Sequence, residues 1–198
     1  MMRSQFVNGI LIAALLAATP FCWAQQSVDL AKSQITFVSK QMNVPIEGKF
    51  DKFTAQVRFD PKQPETGKAE IEIDVGSIDA GSSEANAEVK RPAWFDAAKF
   101  PKATFSSTAL KVIGGGRYEA VGKLTIKSIT RDVVAPFSYS APAGSAGLVE
   151  GRFIINRAQF KIGDGIWDDP ETVAREVEVR FKLMLRAAAA PPPPAQKK

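Results

Sequence analysis

Residues 177–185 read VEVRFKLML: Val177, Val179, Phe181, Leu183 and Leu185 alternate with Glu178, Arg180 and Lys182, and only Met184 breaks the polar half of the pattern. Successive side chains of an extended chain point to opposite faces, so this alternation describes a strand with one face in a core and the other in water. The same period of two recurs upstream in residues 69–75 (AEIEIDV), in 53–59 and in 35–39. It recurs less regularly in 124–127, 133–137 and 153–155, and with residues 103–112 the expectation is about eight strands. The joins are short and rich in turn formers, such as DPKQPETG at 60–67 and GGG at 114–116. Joins of this length connect antiparallel neighbours, and no strand–helix–strand repeat is present. A set of about eight such strands either closes into a barrel or stacks as two sheets, and periodicity does not choose between them.

Two segments interrupt the alternation. Residues 82–99 contain Glu84, Ala85, Ala87 and Glu88, which suit a short helix that must stop by Pro92; Trp94, Phe95 and Phe100 follow before Pro101. The helix is expected as an insertion between the third and fourth strands. Residues 156–172, NRAQFKIGDGIWDDPET, read as a long loop turning at Gly163-Asp164-Gly165, and loops of that length in a compact domain usually carry function.

The ends are of another kind. Arg3, the apolar run 10–18 and the pair Cys22 and Ala24 flanking Trp23 describe a signal peptide over 1–24, cleaved after Ala24 on export. The run is shorter than the roughly 20 residues that span a bilayer. Residues 187–198, AAAAPPPPAQKK, are expected to form a disordered proline-rich tail. Between them, residues 27–186 make one domain.

The composition removes much of the usual chemistry. The chain has no histidine, and its only cysteine, Cys22, falls in the expected leader. That excludes disulfides, thiolate nucleophiles and sulfur-bound metal from the exported domain, and with them the commonest general base and zinc ligand. Asp164, Asp168 and Asp169 lack the spacing of a calcium loop, and the glycine triplet leads into strand residues instead of a phosphate-binding helix. The net charge of +5 comes from bases interleaved with acids, which gives no footprint for nucleic acid and leaves only a weak attraction to an anionic membrane surface. No catalytic constellation emerges, and no enzyme is expected.

What remains is apolar surface. Phe37, Phe53, Phe59, Ile71, Ile73, Phe105, Leu124, Ile126, Phe137, Phe153, Val179 and Phe181 share the inward parity, and Trp94, Phe95 and Trp167 lie in the irregular segments. These fifteen are the candidate ligand-binding residues; equally, they describe an ordinary core. A barrel of about eight strands is the size at which the interior either fills with side chains or keeps room for one small ligand.

Five stretches in order carry a resemblance: SQITFVSKQMNVPIEGKFDKF at 33–53, IDVGSIDAGSSEAN at 73–86, WFDAAKFPKATFSST at 94–108, GKLTIKSITRDVVAPF at 122–137 and INRAQFKIG at 155–163. Together they resemble the YceI-like, polyisoprenoid-binding family. The resemblance implies an extended, eight-stranded antiparallel barrel of lipocalin-like architecture. It also implies a periplasmic protein that holds an isoprenoid lipid or isoprenoid quinone in its interior as carrier or store, without a catalytic cofactor. The sequence departs from the family at Gln41 and in Ala85-Asn86-Ala87-Glu88-Val89, where many members carry histidines. The alternative is a filled barrel that docks on a membrane or electron-transfer partner, and the 156–172 loop offers a surface for a homodimer.

Overall fold

The alternating C-terminal stretch forms β11 (Glu176–Leu185), and the rest of the sheet is built outward from it on both sides. The computed structural model describes residues 26–143 and 147–186; the expected leader and the proline-rich tail lie outside the described residues. In chain order the other strands are β1 (Gln26–Ser27), β2 (Gln34–Gln41), β3 (Val44–Phe50), β4 (Phe53–Arg58), β5 (Lys68–Asp74), β6 (Ile78–Asp79), β7 (Lys102–Gly114), β8 (Arg117–Ile126), β9 (Ile129–Ser140) and β10 (Gly147–Asn156). They form one antiparallel sheet in the order β1-β4-β5-β7-β8-β9-β10-β11-β2-β3-β6.

The expectation of eight strands is therefore corrected to eleven among the described residues. Two of the additions, β1 and β6, are two residues long, too short to show any alternation. The third, β3, reads VPIEGKF, and its proline and glycine hide the pattern. The two short strands are the ends of the sheet. β6 pairs with β3, while β1 pairs with β4 and the next residue, Val28, bridges to Leu185 of β11. The sheet thus curls into a barrel-like wall without closing into a complete ring of ladders. A second departure lies between β9 and β10, whose ladder runs only from Leu148↔Ser140 to Gly151↔Phe137. The next residue of β9 is Pro136, which has no N–H to offer, and the two strands part there.

The expected helix is present but brief. In α1 (Ser83–Glu88) the Ser82 hydroxyl accepts from the Ala85 N–H at 3.1 Å, an N-terminal cap, and Glu84 sits in the first turn. Turns then carry the chain through Pro92, Trp94 and Phe95 to β7. The 156–172 segment is a loop as expected, stiffened by short 3-10 turns at Arg157–Phe160 and Gly165–Trp167.

The interior has two apolar clusters, one towards each end. At one end Phe59, Tyr118, Phe137, Leu183 and Leu185 pack together, with the Phe59 ring 4.9 Å from Tyr118 and 5.5 Å from Phe137. At the other, Val75, Leu124, Ile126, Ile155, Phe160 and Ile162 are buried, and Trp94 and Phe95 pack against them.

Candidate functional site

Between the two clusters the inward side chains do not meet. They enclose a cavity of about 260 Å³ lined almost wholly by aliphatic and aromatic groups, with Ser39, Gln41 and Arg157 as the polar exceptions. That is slightly under the roughly 300 Å³ at which pockets for small organic ligands begin. The unfilled space explains a pattern in the burial. Phe37, Ile71, Phe105, Phe153, Val179 and Phe181 sit at inward positions yet are only half-buried, because part of each faces the cavity.

The cavity has one blind end and one open end. Its lining at Val57, Phe59, Leu110, Ala135, Val149 and Leu183 is fully buried, and the aromatic cluster of Phe59, Tyr118 and Phe137 seals it. Towards the other end Ser39, Ile46, Ala80, Ala85 and Val89 are half-buried and Gln41 is exposed. The mouth therefore lies between the β2–β3 hairpin and α1. Along β2 the inward residues run Ile35, Phe37, Ser39, Gln41, so the wall changes from apolar to polar as it approaches water.

Trp94 and Phe95 form a fixed wall beside this mouth. The Ala93 carbonyl accepts from the Gly163 and Asp164 N–H groups at 2.8 and 2.9 Å. Lys127 Nζ donates to the Pro92 and Lys161 carbonyls at 3.1 and 2.6 Å. Trp94 packs on Trp167 with ring centroids 5.5 Å apart, and its buried Nε1 has no hydrogen-bond partner among the described residues.

Beneath Trp94 lies Arg157, 1 % exposed, with its guanidinium 5.9 Å from the indole ring. Nε donates to Ala174 O, Nη1 to Ile162 O and Gly163 O, and Nη2 to Trp167 O and Val173 O, all between 2.6 and 3.0 Å. Burial holds its pKa below the usual arginine value, but a guanidinium stays charged throughout the physiological range. Five donors meeting five carbonyls leave it nothing to offer a ligand. Its chemistry here is to fold the 157–175 segment around itself.

Of the fifteen candidates read from the sequence, thirteen line the cavity: Phe37, Phe59, Ile71, Ile73, Trp94, Phe95, Phe105, Leu124, Ile126, Phe137, Phe153, Val179 and Phe181. Phe53 instead packs against the cluster at the blind end, and Trp167 backs Trp94 from outside the lining. The fifteen candidates do not include the mouth, although the resemblance marks Gln41 and residues 85–89 as positions where many relatives carry histidines. Ser39 and Gln41 continue the parity of Ile35 and Phe37, and Arg157 continues that of Phe153 and Ile155, so the signal was present in the alternation. Ala85 and Val89 of the helical insertion carry no alternation and are marked only by the resemblance.

Among the described residues no group of three or more acidic, histidine or cysteine side chains is placed to hold a metal ion.

Known proteins bear on this geometry in three ways. Residues 26–185 match the model of the YceI-like domain. A UPF0312 protein of Shewanella baltica is 26 % identical over 149 residues, 74 % of this chain and 76 % of its own length. A UPF0312 protein of Yersinia pestis is 35 % identical over 86 residues; the matched part spans 44 % of that protein. Among solved structures, Burkholderia cenocepacia BcnA is 44 % identical and superposes with a TM-score of 0.78, covering 80 % of this chain and 99 % of its own. A polyisoprenoid binding domain from Saccharophagus degradans, implicated in plant cell wall breakdown, is 17 % identical with a TM-score of 0.65, covering 83 % and 98 %, a likeness of fold. With the family model matched across the whole described sheet, the chain belongs to the YceI-like domain family.

Proposed function

We propose that this protein binds an isoprenoid chain, of quinone or polyprenyl type, in its cavity and shields it from water as a periplasmic carrier or store, without catalysing a reaction on it. The observation that carries this reading is the cavity itself: a blind apolar tunnel whose polar lining groups other than the occupied Arg157 lie at the mouth. An amphipathic lipid fits such a site in one direction only, tail towards Phe59 and Phe137, head group towards Ser39 and Gln41. Each methylene taken out of water is worth about 0.8 kcal/mol, so one isoprene unit contributes roughly 3–4 kcal/mol before ordering costs. A few units suffice for micromolar binding. The limited volume favours a segment of a long chain held inside while the remainder emerges. Selection by shape and not by hydrogen bonds implies tolerance between isoprenoid and fatty chains. An unfilled interior weighs against the alternative of a filled interaction module, and the absence of histidine and cysteine from the exported domain weighs against an enzyme acting on the head group.

Native mass spectrometry of gently purified protein is the direct test. The expected result is a mass increment matching a prenyl lipid, or uptake when a polyprenyl alcohol or ubiquinone is offered from detergent. Protein recovered empty and remaining empty under both treatments excludes the carrier role.

A further inference from the structure

The tip of the β2–β3 hairpin is a two-residue turn, Met42-Asn43, closed by the pair Gln41↔Val44. Both turn residues have left-handed backbone, φ 45° and 62°, a conformation that suits asparagine and glycine and strains methionine. The β8–β9 turn at Lys127-Ser128 has the same form, φ 49° and 61°, but there the long first side chain holds the Pro92 and Lys161 carbonyls. Met42 has no comparable internal role: it is 69 % exposed. Beside it Val44, 58 % exposed, continues the inward parity of Ile46, so the apolar lining of the cavity runs out through the mouth to the surface.

The hairpin tip is not free to fold these side chains away. Met42 N donates to Thr172 O and Ala174 N donates to Lys40 O, each at 2.9 Å, and Gln41 bridges Val173. These bonds fix the tip against the loop that carries Ile166, which at 84 % is the most exposed large apolar residue among those described. Met42, Val44 and Ile166 thus project from two mutually braced loops at the open end of the tunnel.

We propose that this rim is a docking surface for a lipid bilayer, and that the protein loads and unloads its cavity while Met42, Val44 and Ile166 are inserted in the outer part of the membrane. The docking gives the carrier reading its route of exchange: an isoprenoid chain moves from bilayer to tunnel along Val44 and Ile46 without crossing water. The partner is a membrane and not a polar macromolecule, because the rim offers bulky aliphatic groups. Charge plays little part. On the two loops Lys40, Arg157, Lys161 and Arg175 are matched by Asp164, Asp168, Asp169 and Glu171, so the charges balance and the chain's net positive charge does not reside here.

The test is flotation of the exported form, lacking residues 1–24, with phosphatidylcholine vesicles. Binding is expected to neutral vesicles, without gain when phosphatidylglycerol is added and without loss between about 0.05 and about 0.5 M salt. Burying a Met or Ile side chain has a free energy that makes Met42→Ser and Ile166→Ser each expected to lower the partition coefficient about tenfold. Val112→Ser is the control, since Val112 is 61 % exposed but sits by the β7–β8 turn at the blind end, paired with Tyr118. No flotation, an equal loss in the Val112 variant, or binding that requires the anionic lipid overturns the docking surface. Uptake of a polyprenyl alcohol from detergent separates the two claims. The rim variants are expected to retain it, and a wild-type protein that floats but takes up nothing keeps the docking surface and loses the carrier role.

Discussion

Arg157 shows how one polar side chain can organise an otherwise apolar end of a barrel-like fold. Its five guanidinium donors reach carbonyls at 162, 163, 167, 173 and 174, so a loop with no regular ladder of its own is gathered around a single planar fork. Replacing it with methionine leaves those carbonyls without partners in a buried site. An orphaned buried acceptor costs about 1–3 kcal/mol, and with relaxation the sum for Arg157→Met is expected to be about 3 kcal/mol or more. Lysine is expected to recover only part of this, because three donors on one point charge cannot reach carbonyls spread around a plane. Urea unfolding of the two variants measures both values. Wild-type stability in Arg157→Lys would show that the charge, and not the five-bond geometry, holds the loop. The same residue marks a limit of reading sequence. Parity places Arg157 inside, but a basic residue at the end of a strand reads by default as a solvated one, and nothing local reveals that its partners are backbone groups up to 17 positions away.

Among the elements, the strands that frame the cavity keep it open with glycine. Gly48 of β3 lies opposite Phe37 of β2, and Gly151 of β10 lies opposite Phe181 of β11. Each ring lies down over the glycine facing it. A Cβ on Gly48 would come within 2.6 Å of the Asp79 carbonyl, and one on Gly151 within 2.5 Å of the Phe181 ring. Both Gly48→Ala and Gly151→Ala are expected to lose about 1–3 kcal/mol, or a few degrees of Tm per kcal/mol, as the phenylalanine is pushed towards the lumen. Thermal melts read the loss, and ligand uptake is expected to fall with it; unchanged melting in both variants would mean that the wall yields there. These glycines also explain what was legible. Strands that alternate cleanly, β2, β4, β5 and β11, were found from the sequence with the correct face inward. Strand β3 was not, since Gly48 interrupts its apolar face and Pro45 its hydrogen bonding. The partial pairing of β9 with β10 was invisible too, although its cause, Pro136, stood in the sequence. The candidate site was legible wherever it is made of alternating strand residues. At the mouth the alternation named no candidate and only the resemblance marked Gln41 and residues 85–89, because the mouth is assembled from a hairpin tip, a short helix and a loop that only the tertiary fold brings together.

At the scale of the whole molecule, the proposed carrier role raises the question of what would make a one-ended apolar tunnel release a bound chain. Protonation is a poor candidate. The chain has no histidine, the side chain whose ordinary pKa falls between about 5 and 8. Several carboxylates are held below their usual range: Asp29 by Arg186, Asp79 by the Gly81 N–H, Asp169 by the Glu171 N–H and Glu178 by Arg180. A carboxylate whose folded pKa is lowered binds protons more readily when unfolded. Its contribution is fully present above the unfolded value near 4 and is lost as pH falls through the folded one. Stability and ligand retention are therefore expected to be level from about pH 5.5 to about pH 8 and to decline only below about pH 4. Denaturation midpoints and retained lipid across this range check the expectation, and a midpoint of release near pH 6 or 7 would contradict it. With that lever absent, the remaining one is the medium at the mouth. In the proposed carrier role, an isoprenoid chain is expected to leave when a second apolar phase is presented to Val44 and Ile46, so dissociation into water is expected to be slow at any of these pH values and transfer to vesicles fast, with a rate that rises with vesicle concentration.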